Sequence, residues 1–124
     1  HTKTAVTWAE RDVRKYLNSV FYIQNFTSFE KEYILESDVE VKNNSLYGTD
    51  GGEDTKDKLF LINGDQANHY KDILSNFLTD FWLIEPGETS DKAQFVSMGK
   101  VVKEGLRVDD RNIRLRPAMW ITYK

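Results

Sequence analysis

Apolar residues along this chain change their spacing several times, and the changes mark its elements. From Ala9 to Phe21, Val13, Tyr16, Leu17, Val20 and Phe21 recur at steps of three and four residues. Glu10, Arg11, Asp12, Arg14 and Lys15 take the other face, which predicts an amphipathic helix packed on a core. Thr27-Ser28-Phe29-Glu30 has the spacing of a capping box and predicts a second, shorter helix running to about Leu35. The period then drops to two: Val39 and Val41 alternate with Asp38, Glu40 and Lys42, as in a half-exposed strand.

Residues Asn43 to Lys58 carry Gly48, Gly51, Gly52 and four acidic side chains with almost no apolar anchor, so 43–58 reads as a long polar loop, mobile or inserted. Leu59-Phe60-Leu61-Ile62 is a short apolar strand. Asp65 can cap a brief helix through Tyr70, with Ile73, Phe77 and Leu78 continuing its buried face. Phe81 to Ile84 reads as a strand ending in the turn Glu85-Pro86-Gly87, and Ala93–Met98 with Val101-Val102 as a hairpin about Gly99-Lys100. Pro117 to Tyr123 is a closing strand with its proline at the start, where a missing donor is tolerated. Ala5-Val6-Thr7-Trp8 is an opening one. Both end segments are β-prone, both carry a tryptophan, and neither has a sequence-adjacent strand to satisfy its backbone. Ala5–Trp8 is therefore expected to pair with Ala118–Tyr123. Trp8, Trp82 and Trp120 are expected to pack inside or against the sheet.

Composition narrows the class. At 124 residues, with 40% hydrophobic and 13% aromatic positions, the chain suits a single α+β domain, 1–124, that buries a real core. A net charge of −3 with neither sign gathered into a block gives no reason to expect nucleic acid as a partner. No apolar run reaches the ~20 residues of a membrane-spanning helix. The absence of cysteine removes disulfides, thiolate metal sites and cysteine nucleophiles. The chain starts at His1 without methionine and is read as a mature product or an excised piece.

Several segments together resemble a known family. Thr7-Trp8, Val13-Arg14-Lys15-Tyr16-Leu17-Asn18, Phe21-Tyr22, Asp57 to Ile62, Phe81-Trp82-Leu83, Pro86-Gly87 and Arg116 to Ile121 are similar, in order, to motifs of a bacterial family catalogued as domain of unknown function 6273. The resemblance implies a C-type-lectin-like fold: two helices packed on a twisted antiparallel sheet, with N- and C-terminal strands paired. It also implies an extracellular or cell-surface location, since members occur in exported proteins of Gram-positive gut bacteria, but no biochemical activity. The chain departs from the family pattern at three places: Ile84 stands where members carry arginine, Glu85 where they carry serine, and Arg114-Leu115 where they carry a glycine. Formylglycine-generating enzymes share the lectin-like plan but need cysteine, which this chain lacks.

Candidate chemistry is sparse. His69 is the one internal histidine and shows no sequence partner, so a surface or packing role outweighs a catalytic one. Asp50, Glu53, Asp54 and Asp57 lie in a glycine-rich stretch but miss the EF-hand spacing, and a solvated loop is expected in place of calcium. Glu85-Pro86-Gly87 lacks the asparagine of a lectin "EPN" motif and reads as a turn. Arg107, Arg111, Arg114 and Arg116 are expected to pair with Asp109 and Asp110 on a solvated face; an anion site is the sharper alternative. The resulting expectation is a non-catalytic binding module for a glycan or protein ligand, without metal or cofactor. It would use loop residues Tyr47, Asp50, Glu53 and Asp54 together with Glu85. The alternative is a structural or accessory module of a larger surface protein.

Overall fold

The computed structural model describes residues 7–74 and 80–122. It is an α+β arrangement with short helices and two antiparallel sheets. The predicted first helix forms in pieces: α1 (Asp12–Tyr16), a π turn over Leu17–Phe21, and α2 (Tyr22–Asn25). The chain leaves it in extended conformation at Phe26. The capping box then starts α3 (Ser28–Lys31): the Glu30 amide donates to Thr27 Oγ1 at 3.1 Å, and the Thr27 amide donates to Glu30 Oε1 at 2.8 Å. This helix stops well short of Leu35, because the chain is drawn into a bridge between Ile34 and Ile121, with the Leu35 amide on the Trp120 carbonyl.

β1 (Ser37–Val39) pairs antiparallel with β2 (Thr55–Asp57), so the last part of the polar 43–58 stretch is strand. Helix α4 (Gly64–His69) is capped by Asn63, whose side chain exchanges bonds with Gln66, rather than by Asp65. α5 (Lys71–Leu74) follows. Phe77 and Leu78 lie outside the described residues. β3 (Phe81–Pro86), β4 (Lys92–Ser97) and β5 (Lys100–Arg107) form a meander in that order. β4 and β5 meet as the expected hairpin through Met98 and Gly99, both at positive φ, which matches the right-handed twist of the strands.

The expected pairing of the two chain ends is corrected for the part described. Trp8 sits in a 3-10 turn, Trp8–Glu10, and Ala118 bridges Phe60 instead. Trp8 is pulled out of extended geometry by its indole N–H, which reaches Asp57 Oδ2 at 3.0 Å. Ala5, Val6 and Tyr123 lie outside the described residues. Leu59 to Ile62 and the closing segment thus meet through an isolated bridge in place of full strands.

β3 is buried on both faces. Trp82 and Ile84 join the main core with Trp8, Leu17, Val39, Val41, Leu59, Leu61 and Phe95. Phe81 and Leu83 point into a smaller core with Ala67 and Val96. Burial on two sides explains why Phe81–Ile84 is apolar without alternation. The β3/β4 register breaks between Trp82 and Pro86 and frees backbone groups that distant segments then satisfy. Arg11 donates to the Leu83 carbonyl, the Ile84 amide to Ile62, and Asn44 and Gln94 to the Pro86 carbonyl. Among the described residues, no helix is long and apolar enough to cross a membrane.

Candidate functional site

The residues that carry the family resemblance build the scaffold. Leu17 is fully buried, and two neighbours on the same helical face grip the chain opposite. Arg14 Nε donates to Asp57 Oδ1 at 2.8 Å. Asn18 Nδ2 donates to the Leu59 carbonyl at 2.7 Å, and its Oδ1 accepts the amides of Lys58 and Leu59. Buried Asp57 also takes the Trp8 indole and the Thr55 hydroxyl, so its carboxylate accepts three donors from its own domain. These polar side chains replace missing ladder bonds and leave little over for a ligand.

Among the described residues, no hydrogen bond joins any two of the five expected ligand residues. The 43–58 stretch packs down on its own domain: Asn44 is buried, Thr49 Oγ1 donates to the Gly87 carbonyl at 2.7 Å, and Asp54 accepts the Val41 amide at 3.0 Å. Asp50 is exposed and accepts the Gly52 amide at 2.8 Å in a local turn, and Glu53 also faces solvent. Tyr47 is 45% exposed, and desolvation followed by the charges of Glu104 and Glu88 raises its phenol above the ordinary value. Glu85 is half-buried on β3, and its Oε1 accepts the Gly64 amide at the start of α4. Burial raises its carboxyl above the ordinary 4.5; the Gly64 bond and the charges of Lys42 and Lys103 oppose the rise, and Asp65 adds to it. Among the described residues, no three of His, Asp and Glu come together in a way that could hold a metal ion. His69 lies exposed, edge-on to the Tyr70 ring, and Arg107 pairs with Asp109 at 3.1 Å.

What sequence reading missed is a cleft beside the bridged closing segment. Trp120, expected to be packed, is 54% exposed and lines a cavity of about 250 Å³. Val39, Phe60, Leu61 and Ile84 supply apolar surface to it, and Asp38, Glu40, Asn63 and Gln66 bring polar groups. Asn63 and Gln66 spend their side-chain oxygens on the α4 capping box, which fixes both amides beside the cavity. An exposed indole beside carboxylate acceptors and amide donors suits a ligand with an apolar face and a rim of hydroxyls. The one local signal was the Asn63–Gln66 capping spacing; the cleft itself draws on four separated segments.

No curated protein and no solved structure matches the chain. A family model does match, over residues 1–68, and it spans Trp8, the Val13–Asn18 helix and the Asp57–Ile62 segment just described. Since the match covers more than half of the 124 residues, the chain belongs to the family described as Domain of unknown function (DUF6273).

Proposed function

We propose that this chain is a non-catalytic binding module, extracellular or displayed on a bacterial cell surface, whose ligand is a glycan seated in the Trp120 cleft. One observation carries the reading: a tryptophan expected to be packed is left open to solvent next to Asp38, Glu40, Asn63 and Gln66. A sugar ring stacks on an indole through its C–H face and offers its hydroxyls to carboxylates and amides at the edge. The scaffold is read as a variant of the C-type-lectin-like plan, supported by its α+β order and by the return of the closing segment to Ile34 and Phe60. The test is a glycan array followed by calorimetry on the hits. Trp120→Ala should abolish binding while leaving the melting temperature nearly unchanged. Glycan binding that survives this substitution, or an array without hits, would remove the reading.

A second reading, an accessory module of a larger surface protein, is favoured by a different surface. Phe26, Phe29, Tyr33, Met119 and Ile121 line an apolar groove, and Phe29 and Ile121 are largely exposed. Such a patch suits a neighbouring domain better than water. Polar substitution of Phe29 and Ile121 that leaves the behaviour of the intact surface protein unchanged would count against it.

A further inference from the structure

Arg11 presents a problem that the scaffold alone does not solve. Its side chain is buried, with the residue only 4% exposed, and its guanidinium lies 5.9 Å from the Trp8 ring centroid and 5.8 Å from that of Trp82. One of its five N–H groups is accounted for by the Leu83 carbonyl at 3.2 Å. Among the described residues, which include every Asp and Glu of the chain, no carboxylate forms an ion pair with it. A charge taken out of water normally has an opposite charge beside it, and two indole faces replace that only in part. Desolvation alone pushes its pKa down, to about 10, so the group is still a cation at neutral pH.

The guanidinium is not sealed in. Arg11 lines a cleft of about 160 Å³ together with Trp82, Val13, Val108, Leu115 and Asp12. At ~30 Å³ for a water-sized group, that is room for roughly five to six non-hydrogen atoms, a carboxylate with a tail of two or three carbons. One cation and several apolar side chains define the chemistry. Asp12 is exposed at the same cleft.

We propose that this cleft binds a small aliphatic monocarboxylate, with its carboxylate on the Arg11 guanidinium and its hydrocarbon tail against Val13, Val108 and Leu115. The bound anion supplies the counter-charge that the fold omits, through the charge-assisted bonds a guanidinium forms best. The site is separate from the Trp120 cleft and does not depend on a glycan.

The test follows the indole N–H resonances of Trp8 and Trp82 in the full-length chain while sodium butyrate is added at fixed pH and ionic strength. Sodium chloride and sodium phosphate serve as comparison anions. Butyrate should give a saturable shift of the Trp82 resonance in the millimolar range, with chloride and phosphate at least tenfold weaker. Arg11→Gln should weaken butyrate at least tenfold. If that variant does not fold, Leu115→Asp, which places a negative charge on the cleft wall and keeps Arg11, should give the same loss. Linear, unsaturating shifts, equal saturation by chloride, or unchanged binding in the variant that folds would each overturn the proposal.

Discussion

Replacing Asn44 with alanine tests whether the polar 43–58 stretch is held by side-chain hydrogen bonds. Asn44 is 2% exposed and uses both ends of its amide. Nδ2 donates to the Pro86 carbonyl at 2.9 Å and to the Lys103 carbonyl at 2.8 Å, and Oδ1 accepts the Leu46 and Tyr47 amides at 2.9 Å each. Truncation strips all four. Pro86 keeps Gln94 at 3.2 Å, and the two loop amides can turn to water, so the Lys103 carbonyl is the group most exposed to loss. With ~1 kcal/mol for a typical bond and ~1–3 for a buried group left unmade, the sum is about 3 kcal/mol. For a chain of this size that lowers the melting temperature by roughly 10 °C. Thermal and urea unfolding measure it, with Asn43→Ala as the comparison. Asn43 is exposed and accepts only the Gly51 amide, so its loss should stay within about 1 kcal/mol. Equal effects of the two substitutions would refute the idea that Asn44 pins the stretch.

Three further outcomes are expected. Because burial raises the Glu85 carboxyl in the folded state above its ordinary 4.5, its contribution to stability is present below that pH and lost as pH rises through the folded value. Glu85→Gln should flatten this slope in melting temperatures taken from pH 4 to 8, and an unchanged slope would contradict the assignment. Gly105 has φ +75°, and a Cβ there would stand 2.3 Å from the Ala93 carbonyl oxygen. Gly105→Ala should therefore cost clearly more than Gly48→Ala, which has the same φ but open space and should lose only the left-handed penalty of about 1–2 kcal/mol. Trp82→Ala should cost about 3–5 kcal/mol and Trp120→Ala under about 1, as chemical denaturation can show, since only the first indole is buried.

Legibility in the sequence followed how local each determinant is. The Val13–Phe21 spacing, the Thr27–Glu30 box and the turn between β4 and β5 are set within a few residues, and each appears where expected. Trp8 has the local pattern of a strand, but its conformation answers to Asp57, 49 positions away. Asp65 has the residue type of a helix cap, but Asn63 and Gln66 carry the reciprocal spacing and cap α4. The 43–58 stretch looked mobile because hydrophobic periodicity registers apolar anchors only, and Asn44, Thr49 and Asp54 anchor it by hydrogen bonds. Trp120 looked buried because a run of β-prone residues was assumed to have a full strand beside it. An isolated bridge holds that segment instead and leaves its large side chains outside. The cleft escaped notice because residues 38–40, 60–66, 84 and 120 share no window.

The bonds across the break in β3 bear on how the chain reaches this structure as it is synthesised. Arg11 waits for a carbonyl 72 residues later, and Asn44 for one 42 residues later. Ile34 and Phe60 find their bridge partners only at Ile121 and Ala118. The family match ends at residue 68, so the recognisable half emerges first, with its main core still missing Trp82, Ile84 and Phe95. Contacts so distant make for slow closure and leave apolar surface uncovered in the meantime. Residues 1–68 produced alone should accordingly remain unfolded: the stretch by which the chain is recognised is not a stretch that can stand by itself.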